Sequence, residues 1–292
     1  MIKNGQILYI YDAKLTNPNG DPDEENRPRM DYERDINLVS DLRLKRYIRD
    51  YISDKENLIY VRKLNDSSVN PKQIIDADKI ENKEQALENY VDVRLFGATM
   101  AIKDKTMIFT GPVQFNWGYS LNKVELIEAG ITSHFATDEK KSQGTMGRDY
   151  RVKYSFIAFS GAISGKRAVY TKLKEDDLTL LDDSMKNAIK EQFTRSKIGQ
   201  YPRLYIRIQY KDTDTMFDDL RKLVKINETC QNVRDISEIT LAVDELKSFI
   251  DKEEEKIDKI YYFVDESINL TLEKKSCKLE DVISKVKNIK KL

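Results

Sequence analysis

The chain is 292 residues long, enough for one large or two ordinary domains with a sizeable core. Its 50 basic and 50 acidic residues cancel, so net charge argues for neither a nucleic-acid nor a membrane partner, and only local charge informs. Cys230 and Cys277, its two cysteines, lack a C-x-x-C companion, which argues against a disulfide framework or a zinc site. No apolar run nears the roughly 18 residues of a membrane span, and the N-terminus lacks a signal peptide's apolar block, so a soluble cytoplasmic protein is expected.

"QILYIYD", residues 6–12, places Ile7, Tyr9 and Tyr11 on one side and Leu8 and Ile10 on the other, the pattern of a strand buried on both faces. It runs into "TNPNGDPDEENRPRMDYERD", a proline-rich loop too long to be a mere connection. Ser40 is the expected N-cap of a helix over "DLRLKRYIRDYI", with Leu44, Tyr47, Ile48 and Tyr51 on one face. Arg43, Lys45, Arg46 and Arg49 share the other face, which carries almost no compensating acid. A second helix is expected over 85–101, broken or ended near Gly97, and "TMIFTGPVQFNWGYS" reads as strand.

Two extended segments, "ELIEAGITSHFAT" and "RDYRVKYSFIAFSGAIS", flank a polar Gly-containing turn and predict a long hairpin. A helix is expected over 182–198, with Met185, Ile189 and Phe193 in register and Gly199 as its stop. "RLYIRIQYK" alternates Leu204, Ile206 and Ile208 with Tyr205, Arg207 and Gln209, as a half-buried strand would. The Lys/Glu-rich remainder holds amphipathic fragments near 215–226, 241–250 and 279–291. This order predicts an α+β fold with a ferredoxin-like, RRM-type βαββαβ core. One enlarged domain is expected over 1–292, with insertions at about 13–38 and 53–84, a hairpin at about 127–160 and a C-terminal region at about 212–292.

Enzyme motifs fail on inspection. "GAISGK" is one residue short of a P-loop, continues with Arg167 where Ser or Thr would hold magnesium, and reads as strand and turn. The acidic run Asp21, Asp23, Glu24 and Glu25 lacks the spacing of a calcium loop. His134 is the only histidine and reads as an ordinary hairpin side chain, although Asp and Glu leave acid catalysis open. The helix cations form either a solvated face or a phosphate track. On the hairpin, Lys140, Lys141, Arg148, Arg151 and Lys153 surround Met146, which is either a loop residue or an apolar wedge between bases.

"NPNGDPDEENRPR", "SDLRLKRYIRDY", "DVRLFGA", "GPVQ" and "TMGRDYRVKYSFIAFSGAIS", in this order, resemble the backbone subunit of type I CRISPR surveillance complexes (Cascade), most nearly the type I-B form, over residues 1–210. The resemblance implies a non-catalytic subunit without cofactor or metal. It would polymerise head-to-tail along a CRISPR guide RNA and meet target DNA through the guide. It also implies contact with the large subunit, the subunit at the guide's 5′ end and the repeat-processing endonuclease. Asn17, Arg27 and Arg29 would then be loop contacts to the guide, and Arg43, Lys45, Arg46 and Arg49 helix contacts. Asp21 to Glu25 would face solvent or a neighbouring subunit. Residues 127–160 match the family's thumb, with Met146 as wedge and Arg148 and Arg151 beside it. The alternative is a type III-like subunit that cleaves target RNA with a metal and a loop aspartate, Asp31 or Asp35.

Overall fold

The computed structural model describes residues 1–65, 67–102, 105–132, 146–227 and 232–292, and the side chains of residues 101, 102, 105, 132 and 146 lie outside that description. The first strand, β1 (Gly5–Thr16), is longer than predicted and buried from Gly5 through Ala13. In the loop after it, β2 (Gly20–Asp21) pairs with β3 (Arg27–Pro28), and β4 (Met30–Asp31) pairs with β5 (Ile36–Val39). Ser40 caps α1 (Asp41–Asp54) as predicted, its hydroxyl accepting the Arg43 N–H at 3.3 Å.

Three short helices follow, α2 (Pro71–Ala77), α3 (Lys83–Asn89) and α4 (Val91–Phe96). The helix expected over 85–101 thus ends at Phe96. Gly97 turns the chain at φ 77, where a Cβ would meet the Phe109 carbonyl oxygen at 2.1 Å. It opens β6 (Gly97–Ile102), which pairs with β7 (Lys105–Thr110).

Then come β8 (Val113–Phe115), β9 (Gly118–Ser120), β10 (Leu126–Thr132) and β11 (Met146–Ile163), the last two forming the arms of the predicted hairpin. The "GAISGK" stretch is a strand end followed by α5 (Gly165–Thr171), so its expected turn is a helix start capped by Ser164.

The helix expected over 182–198 is displaced toward the N-terminus as α6 (Glu175–Asn187). Glu175, Asp176 and Asp177 occupy its first turn, where negative charge complements the helix dipole. Phe193 lies beyond its end, 80% exposed. The next strand, β12 (Gln200–Tyr210), was expected to be half-buried but is central, with Tyr205 and Arg207 buried as fully as the aliphatic side. Arg207 tolerates this because its Nε donates to Asp182 Oδ1 at 2.7 Å, and the Tyr205 hydroxyl donates to the same oxygen at 2.7 Å.

The C-terminal part supplies β13 (Lys225–Ile226), β14 (Thr240–Ala242), α7 (Asp244–Glu253), β15 (Ile257–Val264), β16 (Asn269–Leu272), β17 (Lys275–Cys277), α8 (Leu279–Val282) and β18 (Ile289–Lys291). The fold is mixed α+β around a ten-stranded sheet in the order β18-β15-β12-β1-β11-β9-β5-β4, with β8 and β10 also paired to β11. Its neighbours β12, β1 and β11 are antiparallel, Tyr9 facing Phe159 on one side and Tyr205 on the other.

The two faces of β1 enter separate cores. Ile7, Tyr9 and Tyr11 join Tyr47, Ile48 and Tyr51 of α1 with Leu181 and Met185 of α6. Leu8 and Ile10 join Ile206, Ile208, Leu246 and Ile260. A fully buried aliphatic side chain contributes about 1.5–3 kcal/mol, so each face of β1 holds its own layer in place. Among the described residues, no helix is long and apolar enough to cross a membrane.

The last pair of β1 with β11 is Thr16 with Val152. Residues 146–151 therefore run on past the end of β1, paired with β10 alone. The hairpin base and the loop after β1 meet at one end of the sheet.

Candidate nucleic-acid interface

At that end the chain leaves β1 through Asn17, which is 1% exposed. Its Nδ2 donates to the Asn26 carbonyl at 2.7 Å, while its Oδ1 is buried without a partner. The Lys197 ammonium donates to the carbonyls of Asn17 and Pro18. Asn19 Oδ1 accepts the Ser40 N–H at 2.8 Å and the Ser40 hydroxyl at 2.9 Å, tying this turn to the cap of α1. Asn17 is thus a positioning residue whose amide locks the loop.

The cation face expected on α1 is largely internal. Lys45 is 6% exposed, pairs with Asp41 at 3.0 Å and donates to Gln114 Oε1 at 2.8 Å. Arg49 is 9% exposed and pairs with Asp92 at 2.9 Å. Arg46 pairs with Asp50 at 2.7 Å. A buried charge needs such a partner, and these partners neutralise the face that looked unbalanced in sequence.

Arg43 differs. Among the described residues it forms no ion pair with a carboxylate, Asp50 feeling its charge only at longer range; its Nε is buried and unpaired, and its guanidinium lies 4.6 Å from the Tyr47 ring centroid. Beside it, Lys197 is pushed down to about 7 by burial and, secondly, by the Arg43 charge. Sequence reading missed Lys197, because only the fold brings the 194–199 turn against the 17–19 turn. Its lack of a nearby acid in the chain was a signal too weak to rank it.

At the hairpin base, the Arg27 guanidinium lies over the Tyr150 ring at 4.6 Å, donates to its hydroxyl at 3.2 Å and reaches Glu128 at 3.6 Å. Arg148 approaches Glu128 at 3.3 Å and Glu25 at 3.8 Å. Glu25 also accepts the Tyr150 hydroxyl at 2.7 Å, and Asp21 pairs with Arg29 at 2.7 Å. The acidic run was expected to face solvent or a neighbouring subunit, and residues 22–25 are exposed. Its two ends, Asp21 and Glu25, also clasp the site arginines.

Arg151 pairs with Asp149 at 2.8 Å and donates to the Leu15 carbonyl at 2.8 Å, bracing the hairpin against β1. Met146 pairs with Thr132 through the backbone, and its side chain lies outside the described residues. So do His134, Lys140, Lys141 and Cys230.

Asp31 Oδ1 accepts the N–H groups of Glu33 at 3.2 Å and Arg34 at 3.3 Å, capping a turn. Asp35 stands 3.6 Å from the Lys123 ammonium. Among the described residues, no group of three or more His, Cys, Asp or Glu side chains is placed to hold a metal ion.

Comparison with known sequences identifies the family. The family model for CRISPR-associated protein Cas7 matches residues 3–244. A protein of Haloferax volcanii described as "CRISPR-associated protein Cas7" is 32% identical, the alignment covering 93% of this chain and 89% of that one. Two solved structures share the fold. A chain of a "CRISPR RNA-guided surveillance complex, pre-nicking" superposes with a TM-score of 0.55 at 11% identity, over 99% of this chain and 96% of that one. A chain of a "CRISPR RNA-guided surveillance complex" gives 0.53 at 14%, over 98% and 94%. The chain belongs to the CRISPR-associated protein Cas7 family.

Proposed function

We propose that this chain is the guide-RNA-binding backbone subunit of a type I surveillance complex, of the I-B form. Copies would assemble head-to-tail along the CRISPR RNA through an open, heterologous contact. The observation that carries the reading is the Arg43 and Lys197 pair. Two basic side chains that, among the described residues, form no ion pair with a carboxylate lie between the loop after β1 and the cap of α1, and a phosphate would supply the missing charge and hold Lys197 protonated. Asn17, Arg27, Arg29, Arg148 and Arg151 shape that mouth. The sheet order β12-β1-β11-β8, with antiparallel neighbours and the helices α1 and α6 between strands, supports a ferredoxin-like core. Residues 127–160 serve as the thumb of one enlarged domain, with Met146 at the wedge position.

Target DNA would be read by base pairing with the guide, and the large subunit, the 5′-end subunit and the repeat-processing endonuclease complete the intracellular assembly. The chain itself does not cleave nucleic acid in this reading. That is supported by the turn-capping role of Asp31 and the Lys123 contact of Asp35. With magnesium or manganese, the assembled protein should leave guide-complementary RNA intact. Cleavage abolished by Asp31→Ala or Asp35→Ala overturns the non-catalytic assignment.

The binding reading is tested by purifying the protein with its own CRISPR array and extracting the bound RNA, followed by salt titration. Arg43→Gln should weaken binding without sequence preference and shallow the log-log salt slope by about 0.7, the value of one single-strand phosphate contact. Protein free of RNA, or an unchanged slope in the folded variant, overturns it.

A further inference from the structure

Trp117, the chain's one tryptophan, is 43% exposed although it lies between two strands of the main sheet. Its backbone is fixed at every point. The Asn116 N–H donates to the Ser160 carbonyl at 2.9 Å, and the Trp117 N–H donates to Asn116 Oδ1 at 2.8 Å. The Trp117 carbonyl accepts Arg221 Nη1 at 2.6 Å. Next in sequence, Gly118 pairs with Val39, and a Cβ on Gly118 would stand 2.3 Å from the Phe159 ring. The core therefore presses on this stretch from one side and leaves the indole on the other.

The pairing also locates it. Val39 precedes Ser40, the cap of α1, so Trp117 stands opposite the start of that helix on the neighbouring strand's side. The Arg29 guanidinium lies 5.9 Å from the ring centroid, within reach of a cation–π contact.

We propose that Trp117 is a stacking platform for one base of single-stranded RNA at this mouth. The proposal rests on the guide-binding reading. A half-exposed indole offers a flat π surface to any base, and stacking of this kind is tolerant of sequence. Arg29 adds a positive charge over the ring, held in place by Asp21 at 2.7 Å. The backbone clamps fix the point from which the ring projects, and only two χ angles remain to be ordered when a base arrives.

The single indole makes its own reporter. The full-length protein is titrated with a fluorescein-labelled single-stranded RNA of mixed sequence. Anisotropy follows binding, and tryptophan emission with acrylamide accessibility follows the ring. Saturating RNA should quench the emission and lower acrylamide access. Trp117→Ala should weaken binding about 5- to 150-fold with an unaltered salt slope, whereas Trp117→Phe should retain most of the affinity.

Binding seen by anisotropy with emission and acrylamide access unchanged overturns the Trp117 assignment and leaves guide binding standing. Absence of RNA binding overturns both. Protection of the indole that rises with protein concentration and needs no RNA gives the ring to a protein contact and overturns the proposal. The wild-type fluorescence decides even if Trp117→Ala fails to fold.

Discussion

Lys197 sets a pH signature for the whole chain. Its amine titrates at about 7 in the folded state because burial and the adjacent Arg43 disfavour its charge, against an ordinary value of about 10.4 in the unfolded chain. Across that interval the unfolded state holds the proton and the folded state does not, so this group makes stability rise with pH from about 7 toward 10. Below about 7 both states are protonated and its destabilising effect is fully present. Lys197→Met should flatten that part of the stability profile, measured by urea denaturation at several pH values. Equal slopes in the two proteins refute the assignment. None of this was legible in the sequence, where Lys197 is one lysine among many. Ser40, by contrast, was legible because capping is local. Arg49 misled because the group that neutralises it, Asp92, lies 43 residues away; Lys45 is neutralised by Asp41 one turn back, but the Gln114 acceptor that helps bury it lies 69 residues away.

At the scale of elements, α1 is anchored by charge as well as by its apolar stripe. Asp92 is 1% exposed, and besides Arg49 it accepts the N–H groups of Tyr60 at 2.7 Å and Val61 at 3.2 Å. Removing Arg49 leaves that carboxylate buried and uncompensated. Arg49→Ala should cost about 3–5 kcal/mol of stability, read by urea denaturation, and its effect on RNA binding should vanish once the folded fraction is accounted for. A loss of binding in fully folded protein would return Arg49 to the interface. The strands taught a similar lesson. The two-sided apolar run of β1 announced a central strand, and the hairpin was written in its two extended segments. The alternation in β12 pointed to a half-exposed strand because Arg207 looked like a solvent residue, its partner Asp182 being hidden in another element. Helix α6 slipped because the 3.6-residue spacing of Met185, Ile189 and Phe193 carried more weight in the reading than the acidic first turn that starts it.

For the whole molecule, the fold brings loop, helix cap and hairpin base to one end of the sheet, a convergence no local pattern contains. The family was nevertheless legible, since its motifs recur in order even where their contacts could not be inferred. If copies assemble along the guide, protein mass per complex should step up with guide length, as multi-angle light scattering on guides of graded length would record. A mass independent of length contradicts the filament. In the same assembly, a wedge at the Met146 position predicts target mismatches tolerated at a regular period. A flat mismatch profile speaks against it.

The carboxylates that clasp the site arginines change what a salt titration counts. Arg27, Arg29 and Arg148 already hold Glu128, Asp21 and Glu25, so a phosphate arriving there exchanges one anion for another and sets free fewer condensed ions than it makes contacts. The measured slope then undercounts the contacts made, and affinity falls less steeply with salt than the number of bound cations alone would require. Glu25→Gln should steepen the slope and strengthen binding at low ionic strength. An unchanged slope would mean that Arg148 keeps its internal partner and that the hairpin base meets no phosphate.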